Sequence, residues 1–149
     1  MAEMFGHEKL KVYEKSLGFV GLRSELLARI DRRVAACDHL DRGAESILLN
    51  IAHASSSWSP KDRIVYLGHA NGSALECAAC LDVFVARMRL TPSGVRPGKS
   101  LLRAIVSMLI AMKTTAQGYN PIGIARGRSH RRQIAAMLTS LAKAVSKDT

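Results

Sequence analysis

Aromatic side chains are scarce in this chain. Three Phe, three Tyr and one Trp make 5% of 149 residues. A core has to be built from Leu, Ile, Val, Ala and Met, a mixture that suits packed helices better than a sheet, where aromatic and β-branched residues are favoured. Three cysteines, an odd number, make no disulfide framework. No stretch shows strand alternation or a solenoid period. Long hydrophobic runs are missing too. The longest, Leu101 to Met112, has 12 residues, includes Arg103 and is too short to span a bilayer. The charged stretch Met1 to Ser16 lacks a secretory apolar segment. A cytoplasmic protein with no membrane partner is expected.

Acid is the remaining shortage. There are 12 Asp/Glu against 22 Lys/Arg, a net charge of +10. From Gly118 onward six Lys/Arg face one acid; the first 117 residues carry sixteen against eleven. Each part contributes +5. An excess of this size favours polyanions, above all nucleic acid. The sharpest cluster is Arg126, Arg128, Arg131 and Arg132, at the start of a helical pattern running from about Ser129 to Ser146. Positive charge there opposes the helix dipole, whereas the guanidinium fork suits phosphate. Lys99 and Arg103 are the candidate phosphate contacts outside that cluster.

What is abundant is helical periodicity. Leu10, Tyr13, Leu17, Val20, Leu27 and Val34 predict one amphipathic helix over about His7–Val34. Gly18 and Gly21 weaken it or permit a close neighbour. Leu40, Ala44, Ile47, Ile51 and Ala54 predict a second, starting near Asp38 and ending at Ser55–Ser57. Ser59 as N-cap, Pro60 at the first position and Asp62 in the first turn open a third. It carries two adjacent heptad seams, Ile64 to Met88 and Leu67 to Met88. So wide an apolar arc predicts burial on more than one side. Thr91 to Ser100, with two prolines and two glycines, reads as a loop before a fourth helix from Leu101. The expected fold is all-α: an antiparallel up-down four-helix bundle over 1–117, with a basic linker and C-terminal helix or tail over 118–149.

Three stretches carry a resemblance: Leu40-Asp-Arg-Gly-Ala-Glu-Ser-Ile-Leu-Leu-Asn-Ile-Ala-His-Ala, Ser59-Pro-Lys-Asp-Arg, and Gly68-His-Ala-Asn-Gly-Ser-Ala-Leu-Glu. They resemble the bacterial four-helix-bundle proteins called large-subunit ribosomal RNA intervening-sequence proteins. The matching positions are Ala44, Ser46, Ile47, Asn50, Ile51 and Ala52, then Gly72, Ser73 and Glu76. Leu10-Lys-Val-Tyr13 resembles the family's usual opening. His53, Ala54, Gly43 and Cys77 depart from the pattern. The resemblance implies a homo-oligomer, a pentameric barrel, related in fold to the accessory variability determinant proteins of diversity-generating retroelements. Those bind a reverse transcriptase and nucleic acid, so docking on a reverse transcriptase is the alternative role.

Ser46 and Asn50 lie four apart, Ser73 and Glu76 three apart, so each pair shares a helix face. Facing pairs predict a structural polar layer that fixes register, with Gly72 allowing close backbones. Competing chemistry is thin. Cys77 and Cys80 have the gap of a metal or redox pair, but no second pair follows. Gly94-Val-Arg-Pro-Gly98-Lys99-Ser100 is similar to a phosphate-binding loop, yet its first Gly is one place late. His53 and His69 are candidates to face each other across two helices. No nucleophile elbow or carboxylate pair is present, and Trp58 and Tyr119 stand alone. The expectation is a non-enzymatic bundle without cofactor or metal that binds nucleic acid, RNA rather than DNA.

Overall fold

A computed structural model describes residues 4–118. Among these, all regular structure is helical: a short 3-10 turn, Gly6–Lys9, then α1 (Lys11–Leu27), α2 (Ala35–Ser56), α3 (Pro60–Ala86) and α4 (Pro92–Ala116). α2 packs on α1 and α3, and α4 packs on α3 and α1, so the four helices enclose one core. α3 is the longest, 27 residues, or about 40 Å. The pattern 119–149, with Arg126, Arg128, Arg131 and Arg132, lies outside the described residues.

α2 follows its predicted stripe. Leu40, Ala44, Ile47, Ile51 and Ala54 are all buried. The helix starts one turn earlier than expected, which places Asp38 in its first turn, where a carboxylate favours the dipole. α3 begins as predicted: Ser59 Oγ accepts from the Asp62 amide at 3.4 Å and Pro60 opens the helix. Its inner seam, Leu67, Ala70, Ala74, Cys77, Leu81 and Phe84, is buried between α2 and α4. The wide apolar arc is thus largely covered within one chain.

Three expectations are corrected. The first concerns α1, which ends at Leu27, seven residues short of Val34. Its buried face is Val12, Ser16, Phe19, Arg23 and Leu26, whereas Leu17, assigned to the stripe, is exposed. With Leu27, two of the six inward residues are polar, which hides the face in the sequence. Ser16 is satisfied by donating to the Val12 carbonyl at 2.7 Å, and Arg23 by an ion pair with Asp41. After Leu27 the chain turns, held where Asp31 accepts from the Arg33 amide at 3.0 Å and pairs with its guanidinium.

The second concerns Thr91–Ser100, which is helix, not loop. Thr91 Oγ1 caps α4 by accepting from the Gly94 amide at 3.1 Å, and Pro92 takes the first position. Pro97 sits inside the helix. Gly98 is there for packing: a Cβ would meet Leu81 Cδ1 at 3.1 Å and Phe19 and Leu22 at 3.6 Å. A helical Gly94–Ser100 has no loop to cradle a phosphate. The third concerns close approach between α2 and α3. It occurs at Gly43, where a Cβ would lie 2.8 Å from Cys77 Sγ; Gly18, Gly21 and Gly72 have open space around them.

Met88, the last residue of both predicted heptad seams, lies just past the end of α3, after the C-cap Arg87. It does not enter the core. It lies at φ 54° with its side chain 91% exposed. The Arg89 amide donates back to the Phe84 carbonyl at 2.8 Å, closing a left-handed cap that ordinarily uses Gly. Met88→Gly is expected to stabilise the fold by about 1 kcal/mol in urea unfolding. An unchanged midpoint would contradict a strained cap.

Candidate nucleic-acid interface

The polar residues of the shared stretches meet between α2 and α3. Ser46 and Ser73 hydroxyls share a hydrogen bond of 2.8 Å, and the Asn50 amide donates to the Ser46 carbonyl at 2.8 Å and hydroxyl at 3.1 Å. Glu76 stands apart from this group. Its carboxylate reaches His39 Nδ1 at 3.2 Å, nearer the start of α2. Partner numbers fall on α3 as they rise on α2: His39 with Glu76, Ser46 with Ser73, and His53 stacked on Tyr66 with centroids 5.1 Å apart. Only one in-register pairing satisfies all three contacts. His53 therefore faces Tyr66, not His69, which is exposed.

Residues 8–111 match the family described as 23S rRNA-intervening sequence protein. That span covers well over half of the chain. The chain belongs to this family. No curated protein and no solved structure matches it. Membership makes this a small four-helix protein of a family named for ribosomal RNA, and the Ser46–Asn50–Ser73 group lies within the matched span.

The cations outside that group are distributed unevenly. Lys99 forms an ion pair with Asp82, so its charge is already answered. Arg103 is exposed on α4 with no acid partner among the described residues. A denser set was missed in the sequence. The turn after α1 and the turn after α3 come together, where Arg29 and Arg89 line one concavity with Leu26, Leu90 and Pro92. Arg87 is in the same turn and Arg96 is on the second turn of α4. None of these four forms an ion pair among the described residues, whereas Arg32, Arg33 and Arg42 are held by Asp41, Asp31 and Asp38. Arg33, hydrogen-bonded to Asp31, holds that carboxyl below its usual range, and Arg89 adds to the effect. Arg29 and Arg89 are sixty residues apart in sequence, so no spacing rule joins them.

The thiols have no such access. Cys37, Cys77 and Cys80 are all buried and free. Burial pushes the Cys77 thiol up to about 12 and raises Cys37 and Cys80 as well. Thiols held protonated in this way are poor nucleophiles and poor ligands. Among the described residues no group of three or more His, Cys, Asp or Glu is placed to hold a metal, and no helix is long and apolar enough to cross a membrane.

Proposed function

We propose that this chain is a non-enzymatic, cytoplasmic, up-down four-helix bundle that assembles as a homo-oligomeric barrel of five copies and binds RNA through its basic surface. The observation that carries the RNA reading is the pair of unpaired arginines, Arg29 and Arg89, that line one concavity, with unpaired Arg87 in the same turn as Arg89 and unpaired Arg96 on the second turn of α4. Guanidinium groups without acid partners, next to a helix N-terminus whose first turn has no acid, suit phosphate oxygens. The family's ribosomal name and the +10 charge support RNA as the polyanion. Assembly rests on the family resemblance and on outward apolar side chains, Leu49 on α2 and Val65, Leu75 and Val83 on α3.

Filter binding with ribosomal RNA fragments tests the reading. Four phosphate contacts to single-stranded RNA predict that a fourfold rise in salt weakens binding about fifty-fold. Substituting Arg87 and Arg89 with Gln should flatten that dependence by about half. No retention of RNA at low salt sinks the proposal, and light scattering that returns a monomer mass removes its oligomeric part.

A further inference from the structure

The opposite ends of α2 and α3 carry a different chemistry. Trp58, the chain's single tryptophan, lies between Ser57, the C-cap of α2, and Ser59, the N-cap of α3, and is 100% exposed. A tryptophan offers one of the largest apolar surfaces of any side chain, and here none of it is packed. It is not the only ring left outside the core. Phe5 is 72% exposed and stacks on His7 with centroids 5.8 Å apart and planes 11° apart; His7 in turn meets Tyr13 edge-on at 4.7 Å. This row belongs to the same end of the bundle, because Gly6 sits against Ser55 in the last turn of α2, 3.1 Å from a built Cβ to the hydroxyl. Among the described aromatics Phe19 and Phe84 are fully buried, and Tyr13 and Tyr66 pack partly against the core.

The charge around these rings is mixed, with Glu8 beside Lys9 and Asp62 beside Lys61, but it includes lysines without an acid partner among the described residues. Lys9 and Lys11 follow Phe5 and His7, and Lys61 is the second residue of α3 after Trp58. None of the three forms an ion pair among the described residues, while the Glu8 carboxylate accepts from the Phe5 amide at 2.6 Å. Arg63 is engaged locally, donating to the Ala54 and Ser57 carbonyls at 3.2 and 3.1 Å, which holds the turn bearing Trp58 in place. A turn held by Arg63 that presents a bare indole three residues before an unpaired lysine suits stacking of an unpaired base with a cation near its phosphate. A base within a duplex is already stacked on its neighbours and offers no free face.

We infer that the Trp58 turn, with Lys61 beside it and the Phe5–His7 row on the same end, is a stacking platform for unpaired bases of single-stranded RNA. The inference rests on the RNA-binding reading and adds to it the form of RNA. It separates two tasks: arginines at one end supply charge, and rings at the other select single strands.

Trp58 reports on itself, because no second indole contributes to the emission. Adding a short oligoadenylate RNA to the full chain should quench the fluorescence saturably. The same strand annealed to oligouridylate should quench it little. Trp58→Ala should weaken single-strand binding about 5- to 150-fold, leave the salt dependence unchanged and leave thermal stability unchanged, since the side chain packs on nothing. Trp58→Phe should restore most of the affinity. If the wild type retains RNA on filters but its emission does not respond and Trp58→Ala binds equally well, the platform is wrong and the RNA reading stands. If the wild type binds no RNA of either form, the RNA reading falls and the platform with it. A concentration-dependent emission shift without RNA would place a second copy on Trp58 and overturn the platform.

Discussion

Asp41→Ala is expected to cost about 3 kcal/mol of stability, while Arg23→Met costs under about 1 kcal/mol. The asymmetry follows from where each charge lies. The Arg23 side chain is 11% exposed and points into the face of α1 that packs on α2; Asp41 keeps 31% of its surface in water. Removing Asp41 leaves a guanidinium nearly out of water, with only the Val20 carbonyl, 3.4 Å from Nε, as a neutral acceptor. Arg32, which also pairs with Asp41 at 3.1 Å, would lose its partner in the same step. Removing Arg23 instead leaves Asp41 wetted and still paired with Arg32, and Met refills the apolar stem. Urea unfolding of the two variants decides the matter. Equal losses would show that the pair is screened on both sides and that burial is not what sets its energy.

Opposite signs are expected at two adjacent positions of α4. Pro97→Ala should gain about 1–2 kcal/mol, because alanine restores an amide that can donate to the Ser93 carbonyl and removes the ring clash. Pro97 is exposed, so nothing is lost in packing. Gly98→Leu should lose about 2–3 kcal/mol, because Leu81, Leu22 and Phe19 already close the space where the side chain would go. Thermal unfolding of both variants separates helix from loop. A loop would tolerate the leucine and gain nothing from the alanine. The same pair explains why the start of α4 reads as a loop in sequence: Pro97 and Gly98 are breakers by propensity, yet here one is tolerated at the solvent face and the other is required by three neighbours.

Legibility followed the chemistry of each face. α2 could be read because all five stripe residues are apolar. The start of α3 could be read because Ser59, Pro60 and Asp62 act locally, within one turn. α1 could not, because Ser16 and Arg23 are solvent residues by type and only their partners, the Val12 carbonyl and Asp41, make them core. The Ser46–Asn50–Ser73 group was visible through spacing on each helix. Glu76 was not, since three residues from Ser73 on the same face still left it free to reach His39. The arginine end depends on two turns meeting. That is a property of the fold, and no window of sequence contains it.

The three thiols of the α2–α3 seam have a use beyond packing. Each is enclosed, and that of Cys77, with its ionisation pushed up to about 12, is almost wholly protonated near neutrality. An alkylating reagent reaches such a group only when the helices part. The rate at which label accumulates on Cys37, Cys77 and Cys80 therefore counts excursions of the closed state, helix by helix, with no reporter added to the chain.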